Sequence, residues 1–521
     1  MENCDEVIGL LKRCGRWIDV VSVDIIMKLS YRLCSIVLLF FSAIMPCGAG
    51  ITVLHSFSAL NNGANQDGAN PASGIAMSGN VLYGDTGMGG AKGVGTAYSI
   101  APDGSNFRAF HSFTNAPDAA NPQGDLLPAG NSFFGASFGG GTSGAGTVFL
   151  ALTNGSISRI LNFAAVNSDA ATNLTGASPD ATVTVSASGT VLFGSATAGG
   201  IYANGTIFSV PTNGATSSVL HTFTSLDSNT GTNVDGAAPL GRLVLSDGTL
   251  YGTTAAGGTG GNGTIFSVGT NGNNFITLYS FSAMDPLLGT NADGAIPAGG
   301  LVLSNGVLYG TTIAGGFQGS GVVFSINTNG SNFMVLHPFT AIDPTTKTNT
   351  DGAKPAANLL LVGNALYGTA SAGGTGGSGT IFSVKTDGSQ FQTLYNFSAV
   401  DGSKGTNADG AFPDGDLAVS GNSLYGTTFG GGAGAAGTVF SLSLPLLPAV
   451  ITQIVHNLDG TVTLSFLGSP GSTNVVQSTA DLSSGAWLPV STNTADGSGF
   501  WQFTDPSAGA SLVQFYRSYS E

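Results

Sequence analysis

Between residues 300 and 339 the apolar positions fall into four short runs, 300–304 (GLVLS), 307–312 (VLYGTT), 322–326 (VVFSI) and 333–339 (FMVLHPF), parted by turn residues. Runs of this length, rich in Val, Phe and Tyr and bounded by Gly, Asn and Pro, predict β-strands. Asn305-Gly306 and Asn329-Gly330 are the pair favoured by tight antiparallel hairpins. Where apolar residues sit at consecutive positions, as in GTIFSV at 263–268, the strand is expected to pack on both faces.

The four-run pattern repeats. An aromatic-glycine step recurs at Tyr83-Gly84, Phe134-Gly135, Phe193-Gly194, Tyr251-Gly252, Tyr309-Gly310, Tyr367-Gly368 and Tyr425-Gly426, at successive spacings of 51, 59, 58, 58, 58 and 58 residues. A Gly-Gly pair follows each step at a fixed offset (Gly315-Gly316 in the fifth copy), and a further glycine, such as Gly321, follows the pair. Glycine weakens a strand by about 0.5–1 kcal/mol relative to alanine, so its return in register predicts positive φ or close approach at those points. Periods of this length belong to propellers and solenoids.

Residues 51–57 (ITVLHSF) match the fourth run of the unit, whereas the array ends at 437–442 (GTVFSL), a third run. The missing strand of the last unit is therefore expected from the start of the array, which removes the exposed edges that a sheet protein must otherwise protect. The expectation is an all-β chain: a seven-bladed β-propeller of four-stranded blades over 51–444, closed by the N-terminal strand. An open β-solenoid is the alternative.

The LYGTT, AGG, GTIFSV and DGAxP elements of this unit resemble the tandem GloVer repeats of exported bacterial surface proteins. That resemblance, over about residues 51–444, implies export and a secreted or cell-surface address but brings no catalytic residues. Residues 445–448 (PLLP) read as a linker, and 449–521, with Trp487 and Trp501, as a small immunoglobulin- or fibronectin-like β-sandwich.

Composition narrows the function. Charged residues make up 8 % of the 521 residues, glycine contributes 81, and the net charge of −15 has no matching basic stripe. Phosphate backbones would be repelled, which excludes nucleic acid as a partner. Residues 1–50 form a leader: Lys28 and Arg32, an apolar run at 33–45 and small residues to Ala49 compose a signal peptide over about 27–49. The apolar run is too short for a stable transmembrane span. All four cysteines (Cys4, Cys14, Cys34, Cys47) fall within the leader, so the mature chain is expected to lack disulfides.

Candidate chemistry lies in the connections between units, since loops on rigid scaffolds carry binding function. Asp67, Asp118, Asp235, Asp293, Asp351 and Asp409 each stand seventeen residues before an aromatic-glycine step, with Thr175 in the third copy. They are the candidate binding residues of the loop face. Asn233/Asp235, Asn291/Asp293, Asn349/Asp351 and Asn407/Asp409 resemble part of a calcium loop, but the first acidic position and the closing Glu are missing. Calcium is thus the only cofactor suggested, against a plain reading in which each Asp caps a turn.

Other motifs fail on context. Gly135-Ala136-Ser137-Phe138-Gly139 matches the nucleophile elbow and 139–144 matches GxGxxG, yet both patterns need a following helix. His55, His111, His221 and His337 fill a slot that Tyr279, Tyr395 or Asn162 occupies in other copies, which points to packing or hydrogen bonding. The expected function is a non-enzymatic binding or adhesion scaffold for an extracellular protein or glycan. The alternatives are a polysaccharide-active glycosidase or lyase, sought around Asp118, Arg159, Asp169 and Asp180 in the irregular copies, and a purely structural surface protein.

Overall fold

The computed structural model describes residues 50–444, 449–469, 472–480, 486–496, 499–506 and 515–520. The expected signal peptide at about 27–49, the four cysteines and the expected linker at 445–448 lie outside the described residues.

Every described regular element is a strand. In the fifth copy the strands are Val302–Ser304, Val307–Thr312, Val322–Asn327 and Met334–Pro338, joined as one antiparallel sheet in chain order. Six sheets over 51–443 have four strands, and the second copy's has five. The extra strand, Ala119–Pro122, pairs with an extended second strand, Ser132–Gly140. Each copy's connection bridges to this point, as at Ala237↔Ala256 and Ala295↔Ala314; in the second copy the bridge grows into a ladder. The result is a propeller-like array. Asn305-Gly306 makes the expected two-residue turn, with φ of 50° and 76°.

The strand Ile51–Ser56 pairs antiparallel with Thr438–Ser443, from Ile51↔Leu442 to Ser56↔Thr438. Side chains cross the same junction: Thr427 Oγ1 donates to Ser73 O at 2.8 Å, and Asn70 Nδ2 to Phe429 O at 2.8 Å. The first is one case of a repeated zipper between successive copies, since Thr253 Oγ1 donates to Gly299 O at 3.1 Å and Thr311 Oγ1 to Ala357 O at 3.4 Å.

Packing between the sheets explains the glycines. Phe266, Phe324, Phe382 and Phe440 are fully buried. A Cβ on Gly310 would lie 2.6 Å from Phe324 Cζ, so the aromatic-glycine step is room for a ring. Gly315 and Gly316 have φ of 69° and 77°, where other residues are strained.

Beyond the array, two three-stranded sheets share a core of Val462, Leu464, Phe466, Val476, Trp501 and Tyr516. Trp501 is buried and stacks on Phe466 at 3.8 Å. Trp487 lies under the Arg517 guanidinium, 4.4 Å from its carbon.

Candidate functional site

The six predicted aspartates fold back onto the strand before them. Asp235 Oδ2 accepts from His221 Nε2 at 3.0 Å and from the Thr224 N–H at 3.1 Å. Asp67 meets His55 at 3.1 Å and the Ser58 N–H at 2.9 Å, Asp118 meets His111 at 3.0 Å, and Asp351 meets His337 at 2.9 Å. Tyr279 and Tyr395 donate to Asp293 and Asp409 at 2.9 and 2.8 Å. His and Tyr exchange in this slot because each is a flat ring with a donor at its tip: His221 stacks on Phe275 at 3.7 Å and Tyr279 on Phe333 at 4.0 Å. Asp235, Asp293, Asp351 and Asp409 are buried. Burial pushes the carboxyls of Asp67, Asp118, Asp235 and Asp351 up, but hydrogen bonds from the histidines and neighbouring donors outweigh it and hold them below the usual range. These groups clamp the blade.

The companion asparagines are equally committed. Asn233 Oδ1 accepts from the N–H groups of Gly236 (2.9 Å) and Gly258 (2.8 Å), while Nδ2 donates to Thr224 O (3.0 Å) and Gly236 O (2.8 Å). Asn291, Asn349 and Asn407 repeat the contact to the second glycine of the pair. A calcium ion here would have to displace these bonds, and among the described residues no three His, Cys, Asp or Glu side chains converge as metal ligands.

Ser137 is fully buried in a strand and donates to Gly139 O at 2.8 Å, so no nucleophile elbow forms. Arg159 donates to Pro117 O at 2.8 Å, and Asp169 is exposed. Of the four residues in the enzymatic search area, only Asp180 reaches a shared cavity.

That cavity is lined by equivalent residues from copies throughout the array. One position contributes Ala72, Gln123, Asp180, Leu240, Ala298, Ala356 and Asp414. Two residues further on, the second, third, fourth and seventh copies place Asp125, Thr182, Arg242 and Asp416 in the wall. Its volume is about 100 Å³. Arg242, Asn358 and Asp416 also line a second cavity of about 1010 Å³, walled by innermost-strand residues such as Val244, Leu245 and Val302. Sequence reasoning reached only Asp180 of this region, because the other lining residues stand about one period apart.

Of the four carboxyls in the smaller cavity, Asp125 and Asp416 are hydrogen-bonded, whereas Asp180 and Asp414 each keep an unpartnered oxygen. Asp416 accepts from the Asn358 N–H at 2.7 Å, and Asp125 accepts from the Gly74 N–H at 2.5 Å. Burial, then the charge of Asp125, raises the Asp416 carboxyl well above its usual range. Gly74 permits this meeting, since a Cβ there would lie 2.5 Å from that of Asp416. Burial, then repulsion from Asp414, raises Asp180 to about 6, and burial raises Asp414. The Oδ1 atoms of Asp180 and Asp414 are buried without a hydrogen-bond partner. Behind the wall, fully buried Asp85 and Tyr98 replace the Thr and Phe of later copies; Ser73 Oγ donates to Asp85 at 2.7 Å, whereas Asp85 Oδ2 and Tyr98 Oη have no partner.

Two residues before each of the seven equivalent cavity residues stands a pre-proline residue at positive φ: Asn70, Asn121, Ser178, Ala238, Ile296, Lys354 and Phe412, between 52° and 60°. Its N–H reaches the preceding sheet, as Phe412 to Ser378 O at 2.8 Å, and its carbonyl receives its own sheet, as from the Phe429 N–H at 3.0 Å. Such a conformation costs non-glycine residues about 1–3 kcal/mol, yet none of the seven is glycine. Phe412 and Phe429 are each 40 % exposed and Phe138 is 43 % exposed.

The model of the Gloeobacter/Verrucomicrobia repeat matches residues 40–232, 172–349 and 345–484. No curated protein matches. Among solved structures, an oligogalacturonate lyase in complex with manganese is 10 % identical with a TM-score of 0.44, over 80 % of this chain and 98 % of its own. A Mycobacterium tuberculosis puromycin-hydrolyzing peptidase is 11 % identical, TM-score 0.42, over 80 % of this chain and 62 % of its own. A chain of a nidogen/laminin complex is 15 % identical, TM-score 0.34, over 57 % and 89 %.

Proposed function

The chain belongs to the Gloeobacter/Verrucomicrobia repeat family, and from that premise we propose that it is an exported, non-enzymatic binding scaffold. Its array is a ring of seven blades closed by the strand at 51–56, followed by an immunoglobulin- or fibronectin-like module that spaces the ring from its point of retention. The partner is an extracellular protein or glycan, and the axial cavity with its rim is the binding face. Pairing of Ile51–Ser56 with Thr438–Ser443 supports the ring, as does one cavity drawing on all seven copies.

One observation carries the choice of face. The polar side chains that repeat from copy to copy, such as Asp235, His221, Asn233 and Thr264, are hydrogen-bonded within the fold. The side chains that differ between copies, among them Asp125, Arg242, Asn358 and Asp416, line one shared cavity. Binding specificity needs such differences, because seven identical sites around a ring cannot distinguish one orientation of a ligand from another.

The experiment is a glycan and extracellular-protein array probed with the full chain, and with Arg242→Ser, which alters a residue lining both cavities. Capture by the full chain that the variant loses is the expected result. Capture that survives it but fails in Asp235→Asn would place binding on the loops instead. A second reading, a polysaccharide-active enzyme, is favoured by the Asp180 carboxyl at about 6 beside Asp414. New reducing ends or unsaturated uronates from a polysaccharide panel, abolished by Asp180→Asn, would establish it.

A further inference from the structure

The larger cavity, about 1010 Å³, stands at the upper end of the size that organic ligands occupy, about 300–1,000 Å³. Much of its wall is apolar: Val185, Val244, Leu245, Val302, Leu303 and Leu360 line it from four copies of the unit. They belong to first strands, each at the end of its sheet, and every one is half-buried. Each therefore packs on its own sheet and keeps a face that no further strand covers.

The charged residues of this lining are Arg242, Asp247 and Asp416. Asp416 is committed, since its two oxygens accept from the Asn358 N–H at 2.7 Å and from Asn358 Nδ2 at 2.5 Å. Asp247 is exposed in the Asp247-Gly248 turn and accepts from Ser246 Oγ at 3.2 Å. Arg242 differs from both. Among the described residues its side chain has no hydrogen-bond, ion-pair or aromatic partner, and none of its nitrogens is sealed from solvent. It lines the smaller cavity as well, so it stands where the two meet. An apolar wall that ends at one unpaired guanidinium suits a monoanion with an apolar body, and the fork of N–H groups matches a carboxylate. A dianionic phosphate fits less well, because Asp125, Asp180, Asp414 and Asp416 line the adjoining cavity and would repel a second charge.

We propose that the larger cavity binds a free alkyl carboxylate, its carboxylate paired with Arg242 and its chain along the edge strands at Val244, Val302 and Leu360. This rests on the reading of these cavities as the binding face and adds a small acid as a ligand there.

Titration calorimetry of the full chain with decanoate, decanol, decylammonium and acetate tests it. Expected are saturable one-site binding of decanoate, at least tenfold weaker binding of decanol and decylammonium, and none of acetate. Arg242→Gln, which removes the charge, should weaken decanoate at least tenfold and leave decanol unchanged, and Arg242→Lys should recover part of the loss. Because Arg242 has no partner in the fold, both variants should melt with the parent protein. Val302→Ala, which trims the wall, should weaken decanoate and decanol alike. Equal affinity for decanoate and decanol, preference for decylammonium, unchanged affinity in Arg242→Gln, or no saturable decanoate binding overturns the proposal. Array capture that needs Arg242 in a protein that does not bind decanoate removes the ligand and leaves the binding face standing. Decanoate binding without any array capture keeps the site and removes the scaffold reading.

Discussion

Asp180→Asn should stabilise the protein at neutral pH, against the usual direction for a substitution in a packed region. The folded chain holds this carboxyl at about 6 rather than the ordinary 3.8, through burial and then Asp414. A raised acid binds its proton more tightly in the folded state, so its contribution is favourable below the unfolded value and is lost as pH rises from about 4 to about 6. At about 1.4 kcal/mol per unit, ionisation costs at most about 3 kcal/mol at pH 7.5. An unfolding entropy of about 2 cal/mol/K per residue, over roughly 400 residues, gives about 0.8 kcal/mol/K, so the variant should melt up to about 4 °C higher. At pH 4 the gain should shrink below about 1 kcal/mol. Calorimetric melting at both pH values, with Asp414→Asn as a second background, reads this directly. No gain at pH 7.5, or an equal gain at pH 4, would refute the reasoning.

Asp235→Ala removes the acceptor for His221 and Thr224 and should cost about 2–4 kcal/mol in denaturant unfolding. In the parent protein that clamp should weaken as pH falls below about 4, because the carboxyl is held below its usual range. Gly310→Ala places a methyl 2.6 Å from Phe324 Cζ and should cost about 1–3 kcal/mol by the same measurement. Deleting residues 51–56 exposes the edge at Thr438–Ser443; oligomers or aggregates are expected by size-exclusion chromatography, and a stable monomer of unchanged melting temperature would contradict the closure.

The strands were legible because each is short, apolar and bounded by turn residues, so that Val307–Thr312 keeps the limits its sequence implies. The turns were legible only where two residues suffice: Asn305-Gly306 has positive φ at both positions, whereas at Asn329-Gly330 only the glycine does. The aspartate clamp was half visible. Its ring partner stands fourteen residues upstream in four copies, as His221 does from Asp235, and the copy that lacks the aspartate, with Thr175, also lacks the ring, with Asn162. That paired loss is the signal that could have joined them. Of the carboxyls in the shared cavity only Asp180 was singled out, through the irregularity of its copy; no local pattern marks Asp125, Asp414 and Asp416, which meet it only when distant copies share one cavity.

The pairing of Ile51 with Leu442 has a consequence for biogenesis. The earliest-made strand of the array must wait through the synthesis of nearly all the rest before its partner exists, so an incomplete, ribosome-bound chain always carries one open edge. A carrier that keeps this segment apart until the chain is complete should therefore raise the yield of folded protein.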